Sequence, residues 1–146
     1  MTNEHEIVSS RIISASIDKL YQAFADPEKL AQWWGPKGFT NTIHAFDLRV
    51  GGKFELTMHG PDKGNYENAS VFTKVIPLNL ISWHRITQPW FDMEVIFQDI
   101  DGNSSSITFR MIFDSAESCE KLRRFVEPNN EENFDRLEAM LATSGL

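Results

Sequence analysis

Apolar and polar positions along the chain change period twice. Residues 6–15 alternate Ile7, Ser9, Arg11 and Ile13 against Val8, Ser10, Ile12 and Ser14, with several β-branched members, and this predicts an opening strand. At Ser16 the spacing lengthens: Ile17, Leu20, Tyr21 and Phe24 fall at i, i+3, i+4 and i+7, one face of a short helix with Ser16 as its N-cap. Asp26-Pro27 starts a second helix, on which Leu30, Trp33 and Trp34 form the apolar stripe and Gly35-Pro36 the stop. From about Thr40 to Phe113 the alternation returns, broken at Gly51-Gly52, Gly60–Gly64, Pro77–Asn79, Gln88-Pro89 and Asp101–Asn103, and predicts six strands in an antiparallel meander. Phe54, Leu56 and Met58, then Met93, Val95 and Phe97, then Ile107, Phe109, Met111 and Phe113 share one apolar face.

Helical spacing resumes after Asp114 or Ser115, with Ala116, Cys119, Leu122 and Val126 on one stripe. Pro128 is expected to interrupt it. Phe134, Leu137, Met140 and Leu141 then define an amphipathic helix over about 130–143, with Glu132 and Arg136 spaced to pair at i, i+4 and, with Asp135, to face water. The order β-α-α-β6-α predicts an α+β fold in which one sheet covers its apolar face with the last helix. Seven antiparallel strands twist and coil, so a straight helix touches such a sheet unevenly and leaves room between the two. That room is the candidate site.

Length and charge narrow the classes. The 146 residues suit a single domain over 1–146, and the composition, 41% apolar and 24% charged, is that of a folded protein. The net charge of -7 repels phosphate backbones, and the densest basic group, Lys121, Arg123 and Arg124, is interleaved with Glu117, Glu120 and Glu127, so nucleic acid is not an expected partner. No apolar run reaches the roughly 20 residues of a membrane helix, and residues 1–6 have no signal-peptide character. A lone cysteine, Cys119, excludes an internal disulfide and agrees with a cytoplasmic location.

Several segments resemble a known family: Phe24-Ala25-Asp26-Pro27-Glu28-Lys29-Leu30, Trp33-Trp34-Gly35-Pro36, the run from Phe46 through Asp47, Arg49, Gly51 and Gly52 to Phe54, His59-Gly60-Pro61-Asp62, Phe109-Arg110-Met111, and Asn133 through Glu138. They are similar to the family named after the activator of the heat-shock-protein ATPase, in the START-like (SRPBCC) helix-grip superfamily. Ser70, Lys74 and Leu78 depart from its usual residues, which bears on local strand pairing. The resemblance implies a curved seven-stranded antiparallel sheet gripping a long C-terminal helix, with a cavity for a hydrophobic or aromatic small molecule. Fold alone leaves function open, because the superfamily includes carriers, receptors, cyclase-like enzymes and co-chaperone domains.

Candidate residues follow from the faces. Trp33 and Trp34, at the helix end before Gly35-Pro36, fit a cavity wall and a closed core equally well, and so do Phe54, Met58, Trp83, Met93, Phe97, Phe109 and Met111. Phe39, Tyr66 and Phe134 complete the expected lining, and the methionines suit a deformable wall. His84 or Arg85 is the candidate polar anchor, beside Trp83 on one strand. Asp47 and Arg49 are spaced to pair beside the Gly51-Gly52 turn. His5, His44, His59 and His84 show no metal-binding spacing, no nucleophile–base set is recognisable, and Cys119 sits in an acidic setting that disfavours a thiolate, so neither metal, cofactor nor catalytic residue is expected. The leading expectation is a small-molecule binder. A co-chaperone-like module with a protein partner and a cyclase- or hydrolase-like enzyme are the alternatives, and a homodimer is an open arrangement.

Overall fold

The computed structural model describes residues 4–144. Strand β1 (Glu6–Ile13) is followed by helices α1 (Ile17–Ala25) and α2 (Pro27–Trp33), strands β2 (Thr40–Phe46), β3 (Lys53–His59), β4 (Asn65–Ile76), β5 (Leu80–Arg85), β6 (Asp92–Asp99) and β7 (Ser105–Ile112), and helix α3 (Ala116–Ser144). The strands form one curved antiparallel sheet in the order β1-β7-β6-β5-β4-β3-β2, with α3 along its concave side. Among the described residues no helix is long and apolar enough to cross a membrane.

The helix starts are those the capping residues predict. Ser16 Oγ accepts from Lys19 N, Asp26 Oδ1 accepts from Glu28 N with Pro27 in the first turn, and Ser115 Oγ accepts from Ser118 N. Pro128 does not interrupt the last helix: α3 runs through it without a break. Residues 127–129 lie on the water-facing side, so the carbonyl that loses its amide partner is free to be hydrated, and the packed stripe beyond it, Phe134 and Leu137, is fully buried.

Gly52 and Leu78 show how turn geometry selects residues. A Cβ on Gly52 would lie 1.9 Å from the Asp47 carbonyl oxygen, so only glycine fits the tight β2–β3 connection, where Gly51 N donates to Phe72 O and Phe72 N to Gly52 O. Leu78 has φ 65°, a conformation closed to proline. Around the other departures, β4 stays paired to both neighbours, with one irregularity between Phe72 and Lys74.

The convex face is polar and cross-linked: Arg110 bridges Glu6 and Glu94, and His44 Nε2 and Glu67 Oε1 meet the Thr57 hydroxyl. The concave face holds the core. Its register places Ile7 opposite Met111, Met93 opposite both Met111 and Trp83, and Trp83 opposite Phe72. At the β1 edge Arg11 reaches Glu131, Asp135 and Glu138 of α3 at 2.6–2.8 Å, tying the helix to the sheet. Arg136, expected in water, is half-buried: its Nη1 and Nη2 donate to the carbonyls of Gln32, Trp34, Gly35, Pro36 and Phe39. Glu132 accepts from Lys37 N in the same loop. The expected Glu132–Arg136 pair is therefore replaced by two bonds sets that pin the α2–β2 loop to α3, because five carbonyls at a helix end and turn form a ready acceptor ring for one guanidinium.

Candidate functional site

The space between sheet and α3 is filled at one end and hollow at the other. The filled end is centred on Phe24 of α1, whose ring stacks on Trp83 at 5.5 Å and meets Trp33, Trp34, Phe46 and Phe54 at 5.7–6.4 Å between centroids. Trp33 is fully buried and donates its indole N–H to Ala23 O at 2.8 Å. Here α1 and α2 lie over the sheet and ring packs against ring.

Beyond Trp34, Phe54 and Trp83 the lining changes. A cavity of about 90 Å³ is bounded by those rings, by Leu56, Phe91, Met93, Phe109 and Met111, and by the polar side chains of Asn68, Ser70, Arg85, Asn130 and Asn133. Asn130 Nδ2 donates to Ser9 Oγ at 3.1 Å and touches Met111 Sδ at 3.9 Å. Asn133 is 6% exposed and its Oδ1 has no hydrogen-bond partner, an arrangement that buried amides rarely tolerate.

Arg85 and Phe91 stand at the boundary of this cavity. Both also line a second, more open hollow of about 440 Å³ made with His84, Ile86, Trp90, Asp92, Ile112, Phe113 and Asp114. The Arg85 guanidinium lies 5.5 Å above the centre of the Phe91 ring and donates from Nε to Thr87 O and from Nη2 to Gln88 O. Burial holds its pKa below the ordinary arginine value. These two side chains are the partition between an inner cavity and an outer groove.

With this geometry in view, the comparisons place the chain. The family model described as Activator of Hsp90 ATPase homolog 1-like protein matches residues 14–142. The chain belongs to this family. Protein NE0264 from Nitrosomonas europaea superposes with a TM-score of 0.89 at 19% identity, covering 99% of each chain. Protein Ms6760 from Mycobacterium smegmatis gives 0.85 at 23% identity, covering 97% of this chain and 93% of that one. The AHSA1-like protein from Aeromonas hydrophila gives 0.77 at 18% identity over 96% and 94%. At such identities these structures establish the shared helix-grip fold. No curated protein matches the sequence.

In this Hsp90-ATPase-activator-like chain the residues expected to line a cavity divide in two. Trp34, Phe54, Trp83, Met93, Phe109 and Met111 surround it. Trp33 belongs to the filled end, and Phe97 is buried against Tyr21 at 5.2 Å, under α1. Phe134 is buried behind the wall, its ring 4.7 Å from that of Phe109. Phe39 and Tyr66 meet each other near the β3–β4 turn, where the Tyr66 hydroxyl donates to Asp62, and Met58 packs beside Gly35. Of the two polar anchor candidates, His84 is exposed on the convex side, paired to Asp92 at 2.8 Å, while Arg85 borders the cavity. Asp47 and Arg49 do pair, at 2.7 Å, on the surface.

Leu56, Asn68, Ser70, Phe91, Asn130 and Asn133 were not among the expected lining. Asn68 and Ser70 carry the strand parity of Phe72, Phe91 that of Met93, and Asn130 and Asn133 the helical phase of Phe134 and Leu137, so two amides inside an apolar stripe were the readable signal. For chemistry the described residues offer little: no three His, Cys, Asp or Glu side chains gather to hold a metal, and burial pushes the Cys119 thiol up, with Arg123 opposing.

Proposed function

We propose that the protein is a binding domain, the whole chain acting as one unit, for an apolar or aromatic small molecule that carries a hydrogen-bond donor, and that it works in the cytoplasm. The observation that carries this reading is Asn133, a buried amide whose Oδ1 has no partner, on the lining of a cavity walled by aromatic rings, methionines and Leu56 and edged by Asn68, Ser70, Arg85 and Asn130. An unpaired buried carbonyl costs about 1–3 kcal/mol, and a ligand N–H or O–H would remove that cost.

Size sets how the ligand enters. A dry cavity of roughly 150 Å³ accepts benzene, so 90 Å³ is too small for one ring as it stands. Joined to the outer groove of about 440 Å³, the volume enters the range of about 300–1,000 Å³ usual for ligand pockets. Binding therefore requires Arg85 and Phe91 to move apart, which takes rotamer changes that break the Arg85–Phe91 stack and the two bonds from Arg85 to the Thr87 and Gln88 carbonyls.

N-phenyl-1-naphthylamine, a neutral aromatic probe with one N–H, tests this. It is expected to bind with micromolar affinity, to brighten, and to quench emission from Trp34 and Trp83. A titration with no response at any protein concentration up to the probe's solubility would overturn the reading. It would favour the protein-interaction alternative, which the half-exposed Ile86 and Trp90 at the rim of the groove support.

A further inference from the structure

Arg85 is the charged side chain on the lining of the inner cavity, and it lacks what the other partly buried arginines have. Arg11 meets three carboxylates and Arg110 two, and Arg136 is encircled by five carbonyls. Arg85 makes two bonds to carbonyls of its own following loop. Its Nη1 has no acceptor, and no carboxylate lies within ion-pairing distance, among the described residues. Of the two acids that line the groove, Asp92 is engaged by His84, and Asp114 is not within ion-pairing distance of Arg85.

Three features make this guanidinium a receptor for an anion. Strand parity with Trp83 puts it on the concave face at the end of β5, and the carbonyls of Thr87 and Gln88 hold the guanidinium there. Phe91 beneath its plane takes up the face of the cation and leaves the N–H edge for ligands in the plane. Burial weakens its hydration, which strengthens any charge-assisted bond it makes. A planar fork with free N–H groups matches a carboxylate, whose two oxygens accept in parallel.

We infer that Arg85 anchors the head group of an aromatic or alkyl carboxylic acid, with the acid at the boundary between groove and cavity and the apolar tail inside against Met93, Phe109 and Met111. The inference rests on the ligand-binding reading above and adds the charge class of the ligand. Docking the carboxylate also supplies a way in: a new partner in the plane of the guanidinium competes with its bonds to Thr87 O and Gln88 O and frees the side chain to swing away from the partition.

The test uses indole-3-acetic acid and indole-3-acetamide, which share ring and N–H and differ in charge, titrated calorimetrically at pH 7.5 against the full chain. The acid is expected to bind at least about tenfold more tightly, the scale of a charge-assisted hydrogen bond. In Arg85→Gln the ratio of the two affinities is expected to fall to about threefold or less. Arg85→Lys, which keeps the charge but not the fork, should give an intermediate ratio, and it serves as the reporter if the glutamine variant does not fold. Equal binding of acid and amide to the natural chain overturns the anchor and leaves the cavity reading standing, whereas binding of neither overturns both. A tenfold ratio that survives Arg85→Gln, or one that is lost instead in His84→Gln, also overturns the assignment.

Discussion

The two ends of the space under α3 are built on the same sheet face yet behave as opposites. At the Phe24 end, rings from α1, α2, β2, β3 and β5 meet edge to face, tilted or stacked around one buried phenylalanine. At the other end the sheet offers Met93, Met111, Asn68 and Ser70, the helix offers Asn130 and Asn133, and a cavity persists. Trp34, Phe54 and Trp83 belong to both, one flank in the cluster and the other on the cavity. Aromatic content therefore does not decide which end is hollow. What decides it is whether α1 and α2 supply a third layer, and whether the last positions are flexible thioethers and amides that stop short of filling the gap.

Truncation at the filled end is expected to have the largest effect. Phe24→Ala is expected to cost about 3–5 kcal/mol, a fall in melting temperature on the order of 10 °C, because the five rings around the fully buried Phe24 are packed against one another and collapse poorly into the hole. Next comes the strap between helix and loop. Arg136→Ala strands five carbonyls and should cost about 2–3 kcal/mol in urea unfolding, and Arg136→Lys should recover little, since an ammonium cannot serve five acceptors spread around a planar fork.

A pair of enlargements sharpens the comparison. Ala23→Leu at the filled end should destabilise by about 1–3 kcal/mol, whereas Met111→Trp at the hollow end should cost under about 1.5 kcal/mol while abolishing binding of N-phenyl-1-naphthylamine. Equal losses from the two would show that the cavity is ordinary core. The smallest effect is electrostatic. The hydrogen bond from Arg110, opposed by burial, holds the Glu6 carboxyl below the usual glutamate range. A lowered folded pKa contributes stability that is present above the unfolded value of about 4.3 and is lost as pH falls through the folded one. Glu6→Gln should therefore lower stability slightly near neutrality and flatten the acid limb of stability against pH, with the two proteins converging at low pH.

Most of the architecture was legible because period and punctuation are local. Ser16, Asp26-Pro27 and the glycine and proline breaks mark the elements, and alternation assigns Phe54, Met93, Phe109 and Met111 to one apolar face. Pro128 misled, since tolerance of a proline depends on whether its helix face meets water, which tertiary packing sets. The site was half legible for a similar reason. Parity places Phe97 and Met93 on one face but not the former under α1 and the latter beside the cavity. Arg136 read as a solvent-facing partner for Glu132 because the carbonyl ring that captures it comes from residues about 100 positions earlier.

We propose that an apolar ligand enters the space behind Arg85 and Phe91. Methionine methyl groups report on it directly: Met93 and Met111 line that space, while Met58 packs by Gly35 and Met140 lies toward the end of α3. In a protein labelled with 13C at the methionine methyls and titrated with N-phenyl-1-naphthylamine, the Met93 and Met111 resonances are expected to shift together and saturate, with those of Met58 and Met140 unmoved. Saturable binding that leaves Met93 and Met111 in place would put the ligand in the outer groove alone and contradict the account.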